Sequence, residues 1–178
     1  TMTAMEEGII SQGDTVVDEG EFKKITPSPK CWIFTSGGGA THGSINVMQA
    51  LAQSCNYFFY EMGYRLGTNS KGNYDSALGL SKIEKYAKVL GLDMKSGVEI
   101  TERDPHFSTE SAVHSAIGQG SNAYTPVQLA RYVSTIANGG KNYSLTLLDK
   151  VVSSKGKTVL KKKSKLTNTV DASGSTWD

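Results

Sequence analysis

Thr125-Pro126-Val127-Gln128 fixes the start of a helix by local chemistry alone, and so constrains this sequence more than any other stretch. Thr125 can cap the first turn, and Pro126 suits a position whose N–H has no partner anyway. Gln128 completes a capping box. Leu129, Ala130, Val133, Ile136 and Ala137 then follow at helical spacing and predict a face turned towards a core. Gly139-Gly140 stop the run.

Two more helices are predicted upstream. Asn46 can cap a helix with Gln49 at the third position and Val47, Ala50 and Leu51 on its apolar face. Ser81 and Glu84 form a second box ahead of Ile83, Tyr86, Ala87 and Leu90, and Gly91 ends that helix. Residues 1–10 read as the tail of a helix that meets a glycine. Strand patterns cover 145–152 and 157–160, joined by a turn at 153–156, with short strands expected at 15–17 and 98–100. The expected architecture is a helix-rich α/β domain with a C-terminal β-hairpin.

With 178 residues, 38% of them hydrophobic, the chain can build one core and is too short for two comfortable ones. A charged fraction of 20% and a net charge of +2 exclude a disordered, collagen-like or coiled-coil chain. No stretch approaches the roughly 20 apolar residues of a membrane span. Cys31 and Cys55 make neither a disulfide framework nor a zinc motif. His42, His106 and His114 lack ligand spacing, so no metal is expected. Gly156-Lys157-Thr158 is no phosphate loop, because the earlier glycine it needs is Val151. No cofactor is expected.

Ser54-Cys55-Asn56 falls between two apolar helical patterns and precedes Tyr57-Phe58-Phe59-Tyr60. If the second pattern is helical, Phe59, Met62 and Leu66 share a face and Cys55 points inward in phase with them. In a regular helix Ser54 and Asn56 would splay about 200° apart, at about 100° per residue. They reach one cleft only if Ser54 lies in an irregular turn before the helix. Read alone, Ser54 is a helix cap and Asn56 a solvated first-turn residue.

The surroundings change that reading. His42-Gly43-Ser44-Ile45-Asn46-Val47, Ala50-Leu51 and Ser54-Cys55-Asn56-Tyr57-Phe58-Phe59-Tyr60 resemble the approach to the second catalytic motif of class B penicillin-binding protein transpeptidases. Ile117-Gly118-Gln119-Gly120, Thr125-Pro126-Val127-Gln128-Leu129-Ala130 and Ile136-Ala137-Asn138-Gly139-Gly140 are similar to the segment that follows in the same family. The resemblance covers residues 1–150, and the hairpin fits more loosely. It implies that residues 1–178 are a partial transpeptidase domain with the beta-lactamase/transpeptidase-like fold, mainly its helical part.

The resemblance implies a mechanism as well. A serine in Ser-x-x-Lys attacks the D-Ala-D-Ala bond of a peptidoglycan stem peptide, and the amine of a second peptide resolves the acyl-enzyme. Ser54 would shuttle a proton between that lysine and the departing amine. Asn56 would hydrogen-bond the lysine or the substrate amide. Gly118, Gln119 and Gly120 could line the cleft or simply form a tight turn; both readings stand at this point. Beta-lactams would acylate the same nucleophile, and other cell-wall synthesis proteins are expected partners. The implied location is the extracytoplasmic face of a bacterial membrane, reached through an anchor outside these residues. A serine beta-lactamase or D,D-carboxypeptidase, and a noncatalytic penicillin-sensing or scaffold domain, are the alternatives.

Two family motifs have no counterpart in the sequence. Ser-x-x-Lys is expected upstream of Thr1, within roughly one helical turn, and Lys-Thr-Gly beyond Asp178. Ser154-Lys155-Gly156-Lys157 matches the first by letters only, because a turn with an internal glycine fixes no common face. The lysines of 155–165 have no interleaved aromatics and read as edge-strand protection rather than as a nucleic-acid surface. Cys31 and Cys55 could pair outside the cytoplasm, although the residues around Cys55 favour a buried thiol.

Overall fold

The computed structural model describes residues 1–177; Asp178, the last residue of the expected 1–178 domain, lies outside the described residues. The chain divides into two compact units, with a boundary inside one helix. The first comprises Thr1–Glu84 and Phe107–Asn122, the second Lys85–His106 and Ala123–Trp177.

In the first unit, α1 (Met2–Glu6) leads to β1 (Thr15–Asp18), α2 (Trp32–Ser36), β2 (Gly43–Asn46), α3 (Val47–Ala52) and α4 (Asn56–Leu66). The start of α5 (Ser76–Val89) and the short α6 (Ala112–Ser115) complete it. β1 and β2 pair antiparallel, with Thr15 opposite Asn46 and Asp18 opposite Gly43. α3 opens with the expected box: Asn46 accepts from the Gln49 amide at 3.0 Å and Gln49 reaches back to the Asn46 amide at 2.9 Å.

α4 is the central element. Cys55, Met62 and Leu66 are buried as expected, whereas Phe59, expected on the same face, is only half-buried and Phe58 takes the core position beside it. Tyr57, Tyr60, Glu61 and Gly63 are buried as well. The core gathers Phe58 and Tyr60 of α4 with Phe22, Ile45, Val47, Ala50 and Val113. α6 lies so close to α4 that a Cβ at Gly63 would meet the Ala112 carbonyl at 2.5 Å. The buried Glu61 carboxylate receives Lys24 Nζ at 2.8 Å and Arg65 Nε at 2.7 Å.

The second unit contains the end of α5, then α7 (Pro126–Ala137), β3 (Lys141–Tyr143), β4 (Lys150–Val152), β5 (Thr158–Lys161), β6 (Leu166–Thr169) and α8 (Gly174–Trp177). β4 and β5 form the expected hairpin, and β3 pairs with β6. α7 begins with the Thr125–Gln128 box.

The structure corrects further expectations, beginning with Leu51, expected on the apolar face of α3 but exposed. Ser81 does not start a helix: α5 already begins at Ser76, where Asp75 Oδ1 accepts from the Ala77 amide at 2.9 Å, and Ser81 Oγ instead donates to the Leu78 carbonyl at 2.8 Å. Residues 98–100 form no strand, and 145–149 lie outside the hairpin. The Glu99 carboxylate accepts from Thr146 Oγ1 (2.6 Å) and the Leu147 amide (2.9 Å), so side chains take the polar groups a ladder would use. Finally, the apolar stripe of α7 faces outward. Leu129, Val133 and Ile136 are exposed, while Gln128, Arg131 and Thr135 are buried. Gln128 Nε2 donates to the Arg103 carbonyl and the Arg131 guanidinium to three other carbonyls, which turns the polar face inward. Among the described residues no helix is long and apolar enough to cross a membrane.

Candidate active site

Ser54 sits in the turn between α3 and α4. Its amide donates to the Leu51 carbonyl at 3.3 Å, and the Cys55 amide donates to the Ala50 carbonyl at 2.9 Å. These bonds form a Schellman motif, with Ser54 at the left-handed position that glycine ordinarily fills. Its φ is 53°, and among the described residues no other non-glycine has a positive φ. A side chain held in this region stores on the order of 1–3 kcal/mol, a cost usually found where function demands the geometry.

Ser54 therefore does not cap α4. Cys55 does, its Sγ accepting from the Phe58 amide at 3.4 Å. With Cys55 holding the helix end, Ser54 Oγ has no capping duty, and Asn56 opens the first turn. The left-handed residue removes the splay that a continuous helix would impose: Ser54 and Asn56 line the same cleft, about 730 Å³ in volume. Ser54 is exposed and Asn56 half-buried.

Gln119 and Gly120 line this cleft too, whereas Gly118 is not among its lining residues. Both glycines shape a tight turn, and Gly120 alone of the two also lines the cleft. Gly118 and Gly120 adopt φ of 77° and 86°, and a Cβ on Gly120 would meet Ser108 Oγ at 2.6 Å. Asn122 fastens the turn, its Nδ2 donating to the Gln119 carbonyl at 3.0 Å and its Oδ1 accepting from the Ser108 amide at 2.9 Å.

The sequence reading missed the remaining wall. Tyr60, Glu110, Ser111 and His114 face the cleft. Burial pushes the Tyr60 phenol up, the Cys31 thiol adds to that, and a hydrogen bond from Asn56 works against it. His114 Nδ1 lies 2.9 Å from Ser111 Oγ, which also caps α6 by accepting from the His114 amide. Ser111 and His114 lie three apart, a spacing that could have marked a capped turn. The site thus offers hydroxyls, an amide and an imidazole around an open cleft, suited to proton transfer and amide recognition.

Behind the Ser54 turn lies a cluster that the linear spacing of cysteine and histidine did not reveal. Asp18, Cys31, His42 and Cys55 bring their ligand-type atoms within 4.8 Å of one another. Both cysteines are buried and free. Burial, then its acidic and thiol neighbours, pushes the Cys55 thiol up to about 12. Burial also works to raise Asp18, but the amides of His42 and Gly20 outweigh it and hold the carboxyl below its ordinary range.

The family model for the penicillin binding protein transpeptidase domain matches residues 1–177. Penicillin-binding protein 2A of Bacillus subtilis (strain 168) is 32% identical over 127 residues, which are 65% of this chain and 17% of that protein. The solved structure of penicillin-binding protein 2B from Streptococcus pneumoniae (strain R6) superposes with a TM-score of 0.76 at 24% identity, covering 99% of this chain and 30% of that one. A chain from a peptidoglycan synthase complex that coordinates polymerization and crosslinking gives a TM-score of 0.72 at 22% identity, covering 96% of this chain and 28% of that one. These solved structures share the fold, and the chain spans less than a third of each relative's length.

Proposed function

The chain belongs to the penicillin-binding protein transpeptidase family, and from that premise we propose that it supplies the Ser-x-Asn part of a D,D-transpeptidase site. The carrying observation is the strained Ser54 turn, which sets Ser54 and Asn56 on one cleft with Gln119 and Gly120. The intact protein cross-links peptidoglycan. A serine nucleophile outside residues 1–178 attacks the D-Ala-D-Ala carbonyl. D-Alanine leaves, and the amine of a neighbouring stem peptide takes over the acyl group. Ser54 Oγ passes a proton between the motif lysine and the departing amine, and Asn56 hydrogen-bonds the lysine or the substrate amide.

Gln119 and Gly120 border the substrate channel, with Gly118 as their hinge. Beta-lactams enter the same cleft and acylate the same nucleophile. The protein works at the extracytoplasmic face of the membrane, anchored by a segment outside this chain, beside other cell-wall synthesis proteins. The exposed apolar stripe of α7 fits a partial domain whose other elements pack there.

Donor and acceptor stem peptides given to the intact protein test this reading. Release of D-alanine with formation of a joined peptide is expected, and a beta-lactam should abolish both. D-alanine release without joining would make the protein a carboxypeptidase, and no release at all would make it a noncatalytic binder.

A further inference from the structure

We propose that Tyr60 is a positioning residue for the reaction, its phenol holding the Asn56 amide with Nδ2 against the ring oxygen and Oδ1 towards the cleft. This rests on the transpeptidase reading above and adds a residue to it. Tyr60 lies one turn after Asn56 on α4, and both line the cleft. Long side chains on a helix lean back over the preceding turn, which lays the phenol over Asn56. The ring is held in place: it packs against Phe22 and His114, with centroids 6.0 and 6.1 Å away, and Tyr60 is only 4% exposed.

The direction of the contact follows from counting protons. A phenol has a single one to donate. Tyr60 Oη gives it to the Lys30 carbonyl at 3.4 Å. That carbonyl is fixed by its neighbours, the Phe22 amide donating to the Pro29 carbonyl at 2.8 Å and the Cys31 amide to the Gly20 carbonyl at 2.7 Å. The phenol oxygen can then only accept from the Asn56 side chain, which bonds to it. That bond draws the phenol down against burial, which is the sign of an N–H donated to the oxygen. An amide donates through Nδ2 alone, so Nδ2 faces Tyr60, and the reversed amide would set two acceptors against each other. Oδ1, on the other branch, is left for the cleft. An ammonium has only donors, so Oδ1 is the one atom of this amide that can meet the motif lysine. Without the hydroxyl the amide has two orientations in each of two or three χ1 wells. The productive fraction would fall to about one in four to one in six.

The test follows acylation of the intact protein by nitrocefin in wild type, Tyr60→Phe, Asn56→Ala and the double variant. Because Tyr60 is buried, rates are taken per folded molecule, counted from the end-point of acylation. Tyr60→Phe is expected to lower the maximal acylation rate about four- to sixfold, with the half-saturating concentration changed less than about twofold. In the Asn56→Ala background the same substitution should change the rate less than about twofold, because no amide is left to hold. A structural role would cost the same factor in both backgrounds, and that result overturns the proposal. So does a Tyr60→Phe protein as fast as wild type beside a slow Asn56→Ala, which leaves the Ser-x-Asn reading standing. Asn56→Ala as fast as wild type overturns that reading and this proposal together.

Discussion

Replacing Ser54 with glycine in the intact protein is expected to slow beta-lactam acylation at least a hundredfold while making the fold slightly more stable. Ser54 occupies a left-handed Schellman position with φ of 53°, where a Cβ costs energy and glycine does not. The gain is at most about 1 kcal/mol, because glycine also loosens the unfolded chain. The loss follows from removing a positioned proton-transfer group, worth about 10²–10⁴ in rate. Ser54→Ala should lose as much rate without gaining stability, since its Cβ remains. The pair separates the hydroxyl from the backbone. Acylation rates unchanged in both variants would leave Ser54 as nothing more than a helix terminator.

Arg131→Ala is expected to be the most destabilising single change in the second unit, by about 3–5 kcal/mol. The Arg131 side chain is fully covered, 2% of the residue being exposed, and its guanidinium donates to three backbone carbonyls in the turn that follows α5. Nη1 reaches Lys95 at 2.8 Å, and Nη2 reaches Met94 at 2.7 Å as well as Gly91. Truncation strands three acceptors and leaves a cavity where the stem packed. Lysine should recover less than half, because a point donor cannot address three carbonyls in a fork. Urea midpoints of the intact protein check this. A loss under about 1 kcal/mol would mean that water can satisfy those carbonyls.

The contrast between these residues explains what could be read from sequence. Thr125 with Gln128 and Asn46 with Gln49 were legible because a capping box is complete within four residues. The start of α5 was not. Ser81 and Glu84 imitate a box, and Gly79 weakens the helical pattern before them. The structure gives Gly79 a packing reason, since a Cβ there would meet the Ala112 Cβ at 2.6 Å. That reason depends on α6, far away in sequence.

The exposed stripe of α7 shows the same limit. Periodicity marks Leu129, Val133 and Ile136 as one face, but the buried contacts of Gln128 and Arg131 decide which face turns inward. Ser54 and Asn56 could be named from their surroundings, and the need for an irregular turn before α4 could be stated, whereas its left-handed form could not. Asp18 and His42 meet through the β1–β2 pairing, where Asp18 lies opposite Gly43, and the Cys31 amide, donating to the Gly20 carbonyl at 2.7 Å, brings Cys31 to them beside Cys55. Local spacing carries no trace of that.

Labelling with a fluorescent penicillin tests the central claim most directly. The claim is that residues 1–178 hold the Ser-x-Asn part of a transpeptidase site while its nucleophile lies elsewhere in the intact protein. The intact protein should retain the label through denaturation, on a serine followed three residues later by lysine and lying outside this chain. The 178-residue chain alone should retain none. Covalent label on the isolated chain, whether at Ser54 or Ser154, would contradict the account.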